Sequence, residues 1–146
     1  MMRFNIVIVS VVSFLVLTFS CQSEKVDENE LLREEVIAIH DEVMPHMGEL
    51  KSLRKKIDAK ANLLETEGSE VNSEKIKELR ILAVQLDEAF DGMFVWMRQF
   101  KNSYEDMSDE AIHTYLLNQK ELVKKVNEDI NVSMKKANEE LKKSDH

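Results

Sequence analysis

Five side chains in two parts of the chain have the chemistry to bind a soft metal ion. They are His40, Met44, Met47, Met93 and Met97. The first three fall within about 60° of one another on a helical face, and the last two lie one turn apart on another. Cu(I) and Ag(I) prefer such sulfur and nitrogen donors to carboxylates. Trp96 is placed to shield the ion as an aromatic cap with a cation–π contact.

The same residues have a second interpretation, in which the methionines only fill an irregular core and His40 is a half-buried surface residue. Pro45 lies inside this segment. It removes a hydrogen bond to the Asp41 carbonyl, so it is expected either to kink the first helix or to begin a new one. Both interpretations of the His/Met cluster remain open.

Three long helices must position these residues. The first is predicted to begin between residues 26 and 32 and to end near residue 65. Its apolar residues recur every seven positions, at Val36, Val43, Leu50, Ile57 and Leu64. Gly68 follows and can take the left-handed conformation that ends helices.

The second and third helices carry continuous apolar faces. The second face reads Ile76, Leu79, Leu82, Ala83, Leu86, Phe90, Met93, Met97, Phe100 and Tyr104. The third reads Ile112, Tyr115, Leu116, Val123, Val126, Ile130, Met134, Ala137 and Leu141. Asn72 or Ser73 is predicted to cap the second helix and Ser108 the third. Short turns then give an all-α, antiparallel up-down-up three-helix bundle, with Tyr115 beside Met97 and Gln119 beside Met93.

The N-terminal sequence predicts export and lipidation. Residues 1–20 carry one charge, Arg3, before an apolar run too short to span a bilayer, as in a signal peptide. The only cysteine, Cys21, follows Leu17-Thr18-Phe19-Ser20, which resembles the cleavage site of bacterial lipoproteins. The resemblance implies an acylated Cys21. The predicted organisation is a signal peptide over 1–20, a tether over 21–30 and a helical domain over 31–146.

Charge and composition limit the functions that this chain can have. Removing residues 1–20 reduces the 20 basic residues to 19 against 28 acidic ones, a net charge of −9. Such a surface disfavours nucleic acid and anionic lipid. Three glycines do not make a phosphate-binding loop, and no histidine pair has zinc-protease spacing. We therefore expect a non-enzymatic protein.

Two segments, 40–47 and 89–100, together with Tyr115-Leu116 and residues 129–133, resemble small Bacteroidetes-type lipoproteins. Proteins of that family are often labelled viral A-type inclusion protein. The resemblance covers nearly all of the mature chain and implies an envelope protein, but the label secures no activity.

The sequence thus predicts a lipid-anchored envelope protein of the outer membrane, on its periplasmic or surface side. One hypothesis is that it handles a soft ion such as Cu(I). The alternative is an interaction or structural bundle without metal, which meets an envelope protein or a second copy through apolar residues outside the core. These residues are Ile81, Val84, Val95 and Leu117.

Overall fold

The computed structural model describes residues 27–68 and 72–143, and all regular structure within them is helical. Four α-helices follow in order: α1 (Glu28–Val43), α2 (Met47–Thr66), α3 (Ser73–Gln99) and α4 (Asp109–Lys142). Cys21 and the predicted signal peptide lie outside the described residues. No helix in the described ranges is both long enough and apolar enough to cross a bilayer.

The first helix begins at its own capping residue. The side chain of Asp27 accepts a hydrogen bond from the backbone N–H of Asn29 at 2.9 Å, which satisfies a free donor of the first turn. The predicted end of the tether at residue 30 is therefore too late, because Glu28 to Glu30 already belong to α1.

The predicted first helix is interrupted where Pro45 lies. Met44–His46 form a turn of 3-10 helix between α1 and α2. Proline has no backbone N–H, so the α-helical hydrogen-bond ladder loses a donor at this position. The end of α2 follows the prediction, since Gly68 has a left-handed φ of 65°.

The core lies where α2 packs on α3 and α4, and α1 packs on α4. Its largest fully buried side chains include four members of the predicted seven-residue series: Val36, Val43, Leu50 and Ile57. Each loses its whole apolar surface to neighbouring helices, which stabilises the fold by roughly 1.5–3 kcal/mol per side chain. The seven-residue pattern is thus confirmed as the core-facing side.

Of the two capping hydrogen bonds that the sequence predicts, the one at the start of α4 forms and the one at the start of α3 does not. Ser108 accepts a hydrogen bond from the Ala111 backbone N–H at 3.3 Å and caps α4 as predicted. Asn72 precedes α3, but its side chain makes no capping hydrogen bond and instead donates to the Glu67 carboxylate at 3.4 Å. Asn72 therefore occupies the predicted N-cap position of α3, but the capping hydrogen bond expected of it does not form.

The register of α4 against α3 differs from the predicted one by about one turn. Tyr115 packs on Phe100 and Tyr104, with ring centroids 6.2 and 5.8 Å apart, and a Cβ added at Gly92 would meet Val126 at 3.8 Å. The reason is that α3 ends at Gln99 and a non-helical segment precedes α4. The turn is therefore centred later than Asp106.

Candidate metal centre

His40 lies in the last turn of α1 and has one ring nitrogen held and the other free to accept. Its Nδ1 is 2.8 Å from a carboxylate oxygen of Asp41, and its Nε2 is buried without a hydrogen-bond partner among the described residues. A carboxylate only accepts hydrogen bonds, so in the neutral ring Nδ1–H donates to Asp41. Nε2 then presents a lone pair to the interior. Histidine ligands of metal ions are commonly held in this way.

Trp96 covers one face of this imidazole. The two ring centroids are 5.5 Å apart at an interplanar angle of 35°, and Phe100 follows at 5.0 Å from the indole. Trp96 is only 5% exposed, whereas the sequence placed it on the flank of the core face. That placement is wrong because the large indole occupies the inward direction at the end of α3. The contact between His40 and Trp96 joins α1 to α3 beside the 3-10 turn.

The four predicted methionine ligands do not share one environment. Met93 is fully buried, Met47 is nearly so, and Met44 packs against the same core from its edge. Met97 is 38% exposed, so its predicted place at the centre of the core face is wrong. Trp96 and Met97 are about 100° apart on the helix, and burial of the indole turns the thioether outward. Met47 and Met93 therefore lie in the core, Met44 packs against it, and His40 contacts Trp96.

This donor set suits a soft ion and not a hard one. Within residues 27–68 and 72–143 no three His, Cys, Asp or Glu side chains group closely enough to hold a metal ion. The inward donors are instead one imidazole nitrogen and thioether sulfurs. Such donors fit Cu(I) or Ag(I), whereas Zn(II), Mg(II) and Ca(II) would require thiolates, further imidazoles or carboxylates.

Further buried polar atoms at this end of the fold have no hydrogen-bond partner within residues 27–68 and 72–143. Besides His40 Nε2 they are the indole nitrogen of Trp96, the Tyr104 hydroxyl and the Gln119 side-chain oxygen. We call the chain of ring contacts through His40, Trp96, Phe100, Tyr115 and Tyr104, together with Gln119 one turn after Tyr115 on α4, the aromatic end. Burial there raises the pKa of the Tyr104 hydroxyl. Native proteins keep few such atoms, and each costs free energy unless a ligand or water satisfies it.

The sequence pattern predicted Tyr104 as an apolar-face residue and Gln119 as a packing partner of Met93, but neither as part of a candidate site. Gln119 follows Tyr115 and Leu116 by about one turn, so the apolar spacing of α4 already directs its amide inward. A polar residue at a core position was therefore the available signal. Tyr104 lies in the non-helical segment between α3 and α4, so its predicted place on the apolar face of the second helix is wrong.

A second buried polar group lies where α2, α3 and α4 meet. Glu140 accepts hydrogen bonds from Lys60 at 2.7 Å and from Lys75 at 2.8 Å, and Lys60 also donates to its backbone carbonyl. We call these three residues the ion cluster. Burial alone would raise the pKa of Glu140, but the two lysine hydrogen bonds outweigh it and lower this pKa to about 2. The hydrogen bond that Lys75 donates to Glu140 raises the pKa of Lys75.

On a helix surface, carboxylates commonly face solvent and pair with lysines three or four residues away. Glu140 contradicts this, since it is 7% exposed and its closest partners come from other helices. It lies three residues after Ala137 on the inward side of α4.

Comparisons of the chain with protein-family models, curated proteins and solved structures give no match.

Proposed function

We propose that this protein binds one soft metal ion such as Cu(I) between α1, α2 and α3, and that it does so without catalysing a reaction. The observation that carries the proposal is the buried, unpartnered Nε2 of His40, with Nδ1 held by Asp41. An imidazole turned inward in this way is poised to donate its lone pair. Met93 and Met47 supply buried sulfur in the same core.

Thioether ligands agree with the predicted location. They carry no proton to lose and do not form disulfides, so a site built from methionine keeps its donors in an oxidising envelope. Trp96 stacked against His40 would exclude water from one side of the ion. Without water among its ligands, such a site favours Cu(I) or Ag(I), which bind sulfur, over ions that require oxygen ligands.

A titration of the purified chain with Cu(I) against a competing chelator tests the metal proposal. We expect one site per chain, quenching of Trp96 fluorescence, and no competition by Zn(II). Met47→Leu with Met93→Leu nearly preserves side-chain volume, so the fold should survive while affinity falls. Met97→Leu is the matched control and should bind as the wild type does. Equal affinity of the wild type and the double variant would show that the methionines are core filler.

The proposed function also includes the lipid anchor at Cys21 and attachment to the outer membrane on its periplasmic or surface side. Support comes from the signal-like residues 1–20 and from the resemblance to small Bacteroidetes-type lipoproteins. Cys21→Ser should abolish incorporation of a fatty acid analogue in growing cells. Equal labelling of variant and wild type would remove Cys21 from the proposal.

We further propose that the helices form an up-down-up bundle in which α1 and α2 make one leg, kinked near Pro45. Contacts in rising order support a parallel course of this leg and α4: Asn29 with Asp109, Glu35 with Lys120, Ile39 with Asn127 and Lys60 with Glu140. The order reverses against α3, where Arg54 meets Asp87 and Asp58 meets Arg80. Glu35→Cys with Lys120→Cys should form a disulfide on oxidation.

A further inference from the structure

The outer face of α3 carries apolar side chains that no other described helix covers. Ile81 is 50% exposed, Val84 is 54% exposed and Val95 is 41% exposed. These residues lie on the side of the helix opposite the buried Leu79, Leu86 and Met93. Single exposed apolar residues are normal, but three on one face of one helix form a stripe.

Charged residues extend this stripe in a coiled-coil pattern. Lys77, Ile81, Val84 and Glu88 follow one another at steps of four, three and four residues, which places them on one narrow seam. All four are exposed. Neither Lys77 nor Glu88 forms an ion pair or side-chain hydrogen bond within residues 27–68 and 72–143. The seam therefore offers one cation, two apolar residues and one anion in that order.

We propose that this seam pairs with the same seam of a second copy, running antiparallel about a two-fold axis between Leu82 and Ala83. Ile81 then packs on Val84 of the partner subunit, and Lys77 lies opposite Glu88 of the partner subunit. Two-fold symmetry repeats both contacts, as in isologous dimers. Cation meets anion on both sides of a small apolar centre.

Other arrangements of the two seams place like charges together or an apolar residue against a charge. A parallel pair sets Lys77 against Lys77 of the partner subunit and Glu88 against Glu88 of the partner subunit. Shifting the antiparallel pair by one heptad places Ile81 against Asp91 or Lys77 of the partner subunit, so an apolar residue faces a charge. Only the proposed register matches apolar with apolar and opposite charges with each other.

The flanks of the seam agree with this register in part. Arg80 comes opposite Asp87 of the partner subunit, although within its own chain Arg80 already pairs with Asp58 and Glu65, and Asp87 with Arg54. Glu74 faces Asp91 of the partner subunit at the outer edge, where like charges are exposed and screened. The interface is small, so the dimer should be a weak one that forms on concentration. It uses no residue of the metal site and is independent of the proposed function.

Sedimentation equilibrium of the purified chain, from micromolar to near-millimolar concentration, tests the proposal. We expect the wild type to pass from monomer to dimer. Lys77→Glu or Glu88→Lys should each weaken self-association by about tenfold or more, because each creates two like-charge contacts. An equimolar mixture of the two variants should recover dimerisation, because the substituted Glu at 77 then faces the substituted Lys at 88 in one contact, and the unchanged Lys77 faces the unchanged Glu88 in the other.

Two further variants separate the seam from general exposure of apolar residues. Val84→Glu should abolish the dimer, whereas Val95→Glu, on the same face but beyond the overlap, should leave it unchanged. Circular dichroism should show the same helix content in every variant. A wild type that stays monomeric throughout, or a mixture that associates no better than its two components, would overturn the proposal.

Discussion

The ion cluster and the aromatic end both bury polar side chains, but they differ in whether the buried polar atoms have hydrogen-bond partners. At the ion cluster the Glu140 carboxylate has two lysine donors from two other helices. At the aromatic end the buried His40 Nε2, Trp96 Nε1, Tyr104 hydroxyl and Gln119 oxygen have none within the described part of the chain.

The difference indicates different roles. A buried charge with all its partners ties helices in one register, and removing either side leaves an uncompensated charge. Buried donors and acceptors without partners among the described residues contribute nothing to the register and cost stability unless water or a ligand satisfies them. The ion cluster thus stabilises the fold, whereas the aromatic end holds buried polar atoms that water or a ligand would satisfy.

Leu86 provides the reference for both regions, because it is a fully buried apolar residue of α3 with no polar partner to lose. Leu86→Ala should lower the free energy of unfolding by about 2–5 kcal/mol through lost burial and a residual cavity. Denaturant unfolding followed by circular dichroism measures this. A loss below about 0.5 kcal/mol, as at a surface position, would contradict the assignment of the core face.

Glu140→Gln should lower the free energy of unfolding by about 2–3 kcal/mol, because the two lysines stay partly buried while the neutral amide no longer compensates their charge. Glu139→Gln is the matched control, since Glu139 is its exposed neighbour on α4. The control should change stability by less than about 0.5 kcal/mol. If both variants unfold at the same denaturant concentration, the ion cluster does not tie the helices.

The ion cluster also predicts a dependence on acid. The pKa of Glu140 is lowered from an ordinary value of 4.5 to about 2 in the folded chain. The unfolded chain therefore binds the proton first, and the stability from Glu140 is complete above pH 4.5 and lost as pH falls towards 2. The stability difference between wild type and Glu140→Gln should shrink over that interval. A difference independent of pH would contradict the ion pair.

At the aromatic end the corresponding change should have the smallest effect and the opposite sign. Gln119→Met keeps the length of the side chain and removes a buried amide whose oxygen has no partner in the described residues. We expect no loss, or a gain of up to about 1 kcal/mol, in the free energy of unfolding. Chemical denaturation of both chains measures it, and a loss above about 1 kcal/mol would show that the amide is satisfied by water or by a neighbour.

Much of the fold followed from local sequence rules. The seven-residue spacing directed Val36, Val43, Leu50 and Ile57 inward, and each is fully buried. Helix ends at Gly68 and the cap at Ser108 depend on neighbouring residues alone, so sequence reasoning found both. The exposure of Ile81, Val84, Val95 and Leu117 was predicted by the same periodicity and is confirmed.

The candidate site was less predictable. The rotation that buries Trp96 and exposes Met97 depends on which side chain the neighbouring helices accommodate, and periodicity cannot distinguish adjacent residues that are both apolar. The inward Nε2 of His40 depends on a ring orientation set by Asp41 and Trp96. Neither is a property of one helix.

By itself, therefore, the sequence determined that this chain is helical, which faces are apolar and where most helices end, because these depend on residues within a few positions of one another. Only the tertiary structure decided that Glu140 joins Lys60 and Lys75, and that His40 meets Trp96. Those partners are far apart in the chain, and the register that brings them together is the joint result of packing all the helices at once.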